Sequence, residues 1–97
     1  MKIDRIYIRA EVEGKWGTHT LAELLLSPKP KVYEQAMVWM SNRMTPDSRK
    51  LSAEIFEDAF KKGLDPNDSG IRREIAEKVV NLIPEDSYVM IKDIANN

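Results

Sequence analysis

The chain has no cysteine, and it has one histidine among its 97 residues. Without cysteine, a disulfide framework, a thiolate metal site and a cysteine nucleophile are excluded. A transition-metal site would need His19 together with carboxylates, and the carboxylates show no ligand spacing, so we expect no metal and no cofactor. No serine lies in a G-x-S-x-G motif. We therefore expect that the protein is not an enzyme; catalysis would require His19 to sit in a cleft beside two or more carboxylates.

Glycine and long apolar runs are also scarce. The four glycines, at positions 14, 17, 63 and 70, match neither phosphate-binding glycine motif, so we expect no nucleotide site. No stretch approaches the roughly 20 apolar residues that span a bilayer. Charged residues interrupt the first apolar stretch, which is unlike a signal peptide. These features predict a cytoplasmic protein with no membrane partner.

Charge of one sign is lacking as well. Fifteen Lys and Arg residues face sixteen Asp and Glu residues, a net charge of −1, so no global field attracts nucleic acid or anionic lipid. Hydrophobic residues make up 42% of the chain, which is enough for one core. The length and composition predict a single domain over residues 1–97.

The first residues predict a β-hairpin. Residues 6–12 alternate, which places Ile6, Ile8, Ala10 and Val12 on one buried face. Glu13-Gly14 can form a tight turn, and residues 15–19 can return as a second strand. Gly17 weakens that return strand.

Helical patterns follow the hairpin. The Thr20-x-x-Glu23 spacing of a capping box predicts a short helix to about Leu26, before a segment with two prolines. Three longer helices are predicted over about 31–43, 46–62 and 70–82. The predicted buried stripe of the helix over 46–62 consists of Leu51, Ile55, Phe56, Ala59 and Phe60.

Residues 88–94 are rich in strand-forming residues and predict a third strand beside the first. The expected fold is α+β: a small two- or three-stranded sheet, built from the N-terminal hairpin and the C-terminal strand, with three to four helices packed on one face.

The turn between the last two helices resembles part of a calcium loop. Asp65, Asn67, Ser69 and Gly70 match the first positions of an EF-hand loop, but Ala76 stands where the bidentate glutamate is needed. The same residue types turn chains and cap helices, which is the interpretation we adopt. In a helix-turn-helix, Arg72 and Arg73 would begin the helix that reads DNA. This half of the chain is acidic, however, so its field opposes contact with phosphate.

The first functional hypothesis is binding of another protein, which could be a second copy of the chain in a homodimer. Methionine and tryptophan are adaptable contact residues, and those on the helix over 31–43 cannot all share one face. The same pattern also fits a central helix packed on several sides. An acidic set on the following helix is a second candidate. The predicted protein-binding residues are Tyr33, Met37, Trp39, Met40, Met44, Glu54, Glu57 and Asp58.

The alternative hypothesis is binding of single-stranded nucleic acid on the outer face of the sheet. Aromatic rings between cations can stack unpaired bases. Residues 1–50 carry nine basic and six acidic residues, a net charge of +3. In a purely structural interpretation, Tyr7 pairs with Tyr88 across neighbouring strands. The residues of this candidate surface are Arg5, Tyr7, Arg9, Tyr88 and Lys92.

Overall fold

The hairpin and the helices that the sequence predicts are present in the computed structural model, which describes residues 2–65 and 67–84. The predicted strand over 88–94, with Tyr88 and Lys92, lies outside the described residues. A short 3₁₀ turn, which the sequence pattern did not predict, precedes the hairpin. The elements are this turn (Lys2–Asp4), β1 (Tyr7–Val12), β2 (Lys15–Thr20), α1 (Leu21–Leu25), α2 (Pro30–Ser41), α3 (Pro46–Lys61) and α4 (Ser69–Val80).

Strands β1 and β2 pair antiparallel around a two-residue turn. Val12 lies opposite Lys15, and the turn residues Glu13 and Gly14 have φ angles of 53° and 82°. Two positive φ angles are those of a type I′ turn, whose twist matches that of the flanking strands. The predicted hairpin is therefore confirmed, with a non-glycine residue in the left-handed region.

The helices pack on one face of the hairpin. Ile6, Ile8 and Ala10 are buried, and Val12 packs against the same core at its margin. Alternating side chains of a strand point to opposite faces, so the buried set lies together. The predicted orientation of the first strand is confirmed.

Side-chain caps begin three of the helices. The Thr20 hydroxyl accepts a hydrogen bond from the Glu23 amide at 3.0 Å, while the Glu23 carboxylate lies 3.4 Å from His19 Nδ1. Thr45 and Ser48 form a reciprocal capping box at α3. The Asp68 carboxylate caps α4 through the Gly70 amide. These bonds satisfy backbone donors that a helix leaves free at its start.

One part of the predicted core is wrong. Ile55 and Ala59 are buried and Phe56 is half-buried, but Phe60 is 77% exposed. The buried line of α3 also includes Ser48, and Phe60 is rotated about 100° from Ala59, away from that line. Its apolar ring therefore faces solvent.

The helices associate mainly in two pairs. Helix α1 packs against α2, and α3 packs against α4. Helices α2 and α3 are consecutive in the chain, but they are not among the closely packed pairs. This separation opens a groove between them.

Candidate protein-binding groove

An open groove of about 450 Å³ lies between α2 and α3. All three methionines among the predicted protein-binding residues line it: Met37, Met40 and Met44. The remaining lining residues are Val38, Ser41, Arg49, Ser52, Ala53, Phe56 and Ile75.

The groove has a buried floor and partly exposed walls. Met40 and Ile75 are buried at 0% and 1% exposure and belong to the core. Met37, Met44 and Phe56 are half-buried and pack against that core from the two sides. Methionine has three rotatable side-chain bonds and a polarizable sulfur, so such walls can adapt to an incoming apolar side chain.

The apolar surface continues beyond the groove. Val38 is 58% exposed on α2. Phe60 follows Phe56 by one turn of α3 and shares its flank. Exposed large apolar side chains that adjoin a groove are typical of interaction surfaces.

Polar groups mark the rim. The Arg49 guanidinium donates from Nη2 to the Ser41 carbonyl at 2.9 Å and so ties the start of α3 to the end of α2. Glu34 lies one turn before Val38 on α2 and is exposed, in a separate shallow pocket that Lys31, Gln35 and Val38 also line. Within residues 2–65 and 67–84, the Glu34 carboxylate has no ion-pair partner. Helix α2 therefore carries a carboxylate next to the groove, with the Lys31 side chain in the same pocket.

Tyr33 and Trp39 do not line this groove. The Arg72 guanidinium lies 3.9 Å from the centroid of the Tyr33 ring, and that of Arg43 lies 4.2 Å from the Trp39 ring. Arg43 Nη1 also donates to the Trp39 carbonyl at 3.0 Å, and partial burial lowers the pKa of Arg43. Both rings thus form part of cation–π contacts on other sides of α2.

The position of Arg72 argues against the helix-turn-helix hypothesis. Its side chain is 4% exposed, and its Nε donates to the Leu25 carbonyl at 2.8 Å. The other guanidinium nitrogens donate to the carbonyls of Ser27, at 3.1 Å, and Asn67. A buried arginine cannot reach a DNA groove, and its exposed neighbour Arg73 pairs with a glutamate on its own helix at 2.9 Å.

The acidic residues selected on α3 form a separate surface. Glu54, Glu57 and Asp58 lie together with Lys61 away from the groove. Lysines of the same helix neutralise two of them: Lys61 lies 3.2 Å from Glu57, and Lys62 lies 2.8 Å from Asp58. The hydrogen bond from Lys62 lowers the pKa of Asp58. The i,i+4 spacing of these residues in the sequence already favours both pairs, which offset the charge of two of the three acidic side chains.

The outer face of the hairpin carries the described part of the nucleic-acid surface. Arg9 is exposed and Tyr7 is half-exposed on this face, and Arg5 is exposed just before the strand. Trp16, which the sequence analysis did not select, shares the face and is 64% exposed. Glu11 lies directly opposite Trp16 and brings a negative charge among the cations.

A second cavity, of about 920 Å³, lies between the hairpin turn and the start of α2. Gln35 forms one side of it: its Oε1 accepts from the Glu11 amide at 3.0 Å, and its Nε2 donates to the Glu11 carbonyl at 2.8 Å. Lys29 pairs with Glu13 across the cavity mouth at 2.5 Å, which lowers the pKa of the Glu13 carboxyl. These contacts attach α2 to the edge of β1 that faces away from β2.

The other sequence candidates have local partners. Asp65 accepts from the Asn67 amide at 2.9 Å, so this carboxylate organises the turn. His19 has the Glu23 carboxylate beside it. In the part of the chain that the structure describes, no three potential ligands are grouped closely enough to hold a metal ion.

Comparison of the chain with protein-family models, with curated proteins and with solved structures found no match. No helix within 2–65 and 67–84 has the length and apolar character needed to cross a membrane.

Proposed function

We propose that the protein is a non-catalytic interaction module whose α2–α3 groove binds an amphipathic helix of another protein. The observation that carries this proposal is the partly exposed methionine and phenylalanine lining of a groove between two helices that do not pack closely together. Amphipathic helices bind in such apolar grooves through side chains spaced three and four residues apart.

The rim favours a partner helix that has a basic residue beside its apolar face. Among the described residues Glu34 has no ion-pair partner, and its carboxylate, in the pocket next to the groove, complements a lysine or arginine of the partner. Arg49 lies at the other end of the groove and is held by the Ser41 carbonyl. An amphipathic helix of leucine and lysine matches both the apolar floor and the Glu34 carboxylate.

The test uses protein labelled with ¹³C at the methionine ε-methyl groups. A synthetic amphipathic Leu/Lys helix of about 18 residues is titrated in, long enough to hold helical structure on a surface. We expect the NMR signals of Met37 and Met44 to shift. A scrambled peptide of the same composition is expected to shift neither signal, and equal shifts with both peptides would count against the proposal.

Two matched variants locate the contact. Ala53→Arg places a long cation on the exposed α3 wall and should abolish the shifts at Met37 and Met44. Glu34→Gln should weaken binding several-fold at low salt, while Glu54→Gln, on the other surface of α3, should leave it unchanged. Equal effects of the two glutamine variants would argue against the proposed orientation.

A second candidate function is single-stranded nucleic-acid binding on the outer face of the hairpin. The exposed Trp16 ring favours it, because it adds a stacking surface beside Tyr7 and Arg9. Fluorescence anisotropy with a labelled oligonucleotide at about 50 mM and about 300 mM salt tests it. Binding at low salt that weakens in Trp16→Ala supports this function, and no binding at low salt removes it.

The cytoplasm is the proposed compartment, because a chain without cysteine needs no oxidising environment for its fold. In this proposal the protein acts with a protein partner and without a cofactor.

A further inference from the structure

Among the described residues, one edge of the hairpin is covered by a side chain and the other is not. On β1, both backbone groups of Glu11 point away from β2 and are bound by the Gln35 amide. A side-chain amide there imitates the next strand and blocks further pairing at that position. Strand β2 lacks such a cover among the described residues.

The register shows which groups of β2 face outward. The Leu21 amide donates to the Ile6 carbonyl at 2.8 Å, so this facing pair is hydrogen-bonded. In antiparallel strands, hydrogen-bonded and non-hydrogen-bonded pairs alternate. The pairs Arg9 with Thr18 and Glu11 with Trp16 are therefore of the second kind. The backbone groups of Trp16 and Thr18 point away from β1.

Among the described residues, these outward groups have no partner and are exposed. Within residues 2–65 and 67–84, the backbone groups of Trp16 and Thr18 have no hydrogen-bond partner outside the hairpin. Both residues are exposed, and the Trp16 side chain is 64% exposed. Gly17 lies between them, so no proline or charged side chain separates the two residues, and the exposed Lys15 stands just before Trp16. Between Trp16 and Thr18 the edge thus carries neither a proline nor a charge that would oppose pairing.

We propose that this β2 edge pairs antiparallel with the same edge of a second copy of the chain, forming a four-stranded sheet. With the two-fold axis beside Gly17, Trp16 faces Thr18 of the second copy, and the reverse pair is equivalent. Each of the two facing pairs exchanges two backbone hydrogen bonds, so this register satisfies all four free donors and acceptors.

The side chains suit this register. On the outer face, the two Trp16 rings become diagonal neighbours, a spacing within reach of aromatic side chains. At the centre, Gly17 faces Gly17 of the second copy, and neither presents a side chain that keeps the strands apart. The net charge of −1 per chain imposes little repulsion between copies. A second copy therefore fits the edge in backbone geometry and shape, and the net charge of the chain does not oppose it.

Sedimentation equilibrium on the full chain, from about 10 µM to about 1 mM, tests the proposal. We expect a monomer–dimer equilibrium in the wild type. Thr18→Pro removes the outward amide donor without removing a hydrogen bond inside the hairpin, and should raise the dimer dissociation constant about 10-fold or more. Thr18→Ala keeps the amide and should retain the dimer. A wild type that is monomeric throughout, or a folded Thr18→Pro that dimerises as well as the wild type, overturns the proposal.

Amide hydrogen exchange of the wild type gives a second measurement that does not depend on the proline variant folding. The Trp16 and Thr18 amides should exchange more slowly at the high than at the low concentration, while the Tyr7 amide should not change. Equal exchange at both concentrations overturns the pairing. Ala53→Arg in the α2–α3 groove should leave the dimer unchanged, so failure of the groove proposal and failure of this one are distinguishable.

Discussion

Helix α2 has two sides that are packed in different ways. Toward α1 and the hairpin, Val32 and Ala36 are buried, and Gln35 binds the edge of β1 through directional hydrogen bonds. Toward α3, Met37 and Met44 are half-buried beside an open groove. We name these the sealed side and the open side of α2.

The difference teaches where this small domain keeps spare apolar surface. The sealed side uses small side chains and fixed hydrogen bonds, which define a single close approach. The open side uses long, flexible side chains, which tolerate several arrangements and leave space for another molecule. The same type of substitution should therefore change the free energy of unfolding by different amounts on the two sides.

The largest effect is expected at Arg72, which holds the loop between α1 and α2 at the sealed side. Arg72→Met removes three hydrogen bonds to backbone carbonyls and the cation–π contact with Tyr33. Buried carbonyls left without a donor are costly, so we expect the free energy of unfolding to fall by about 3 kcal/mol. Urea denaturation followed by circular dichroism measures it.

Two variants control for this effect. Arg73→Met removes an exposed ion pair within α4 and should change stability by less than about 0.5 kcal/mol. Arg72→Lys keeps the charge but loses the planar fork that serves three carbonyls, so its stability should lie between wild type and Arg72→Met. Equal stability of the Arg72→Met and Arg73→Met variants would show that Arg72 does not hold this loop.

The same substitution on each side of α2 tests the comparison directly. Ala36 is fully buried on the sealed side, so Ala36→Leu should overpack the core and cost about 2 kcal/mol. Ala53 is exposed on the α3 wall of the groove, so Ala53→Leu should change stability by less than about 0.5 kcal/mol. Thermal and urea unfolding of both variants provide the measurement. Equal destabilisation would mean that the open side is packed as closely as the sealed one.

A smaller loss is expected for Gln35→Ala. The side chain makes two hydrogen bonds to Glu11 and one to the Lys31 carbonyl at 2.9 Å. These bonds are near the surface, where water can replace them, so we expect a loss of about 1 kcal/mol. Glu34→Ala, one residue earlier on the same helix, is the control and should be close to neutral. Faster amide exchange at Glu11 in Gln35→Ala would show that the edge of β1 has been uncovered.

The fold was predictable where local chemistry determines it. Alternation from Ile6 to Val12, the Glu13-Gly14 turn and the helix-capping residue Thr20 each predict structure from a few neighbouring residues. The strand bounds and most helix bounds consequently agree with the structure to within one or two residues. The predicted burial of Phe60 was wrong. Helical periodicity places an apolar residue near a buried face, but it does not show how much of that face the neighbouring helix covers.

The candidate site was predictable in part. Met37 and Met40 of α2 and Met44, which follows the helix, were selected from their spacing. Their grouping with Phe56 depends on how α3 approaches α2, which no local pattern contains. Gln35 and Arg72 were missed because a polar side chain in a helix carries no sign of a partner that is 24 or 47 residues away. Trp16 could have been found, since the alternation that buries Ile8 and Ala10 places residue 16 on the outer face once the turn is known.

The smallest effect concerns the ion pair at the rim of the sealed side. The hydrogen bond and charge of Lys29 hold the pKa of Glu13 below its ordinary value. Lys29→Gln should therefore raise the pKa of Glu13 toward the ordinary value of about 4.3, which a ¹³C NMR titration of the carboxyl carbon measures. Because the folded-state pKa is lowered, the pair stabilises the fold above the unfolded-state pKa and loses that contribution as the pH falls through the folded-state value.

The matched control is Lys62→Gln, which breaks a pair inside α3. Its partner Asp58 also has a lowered pKa, again because of the lysine hydrogen bond. Each variant should raise the pKa of its own partner and leave the other carboxyl unchanged, and added salt should shrink both effects. If Lys29→Gln left the titration of Glu13 unaltered, the contact between the hairpin turn and the start of α2 would not persist in solution. The sealed side would then end at Gln35, and the cavity between the hairpin turn and α2 would be open to solvent, as the groove on the other side of the helix is.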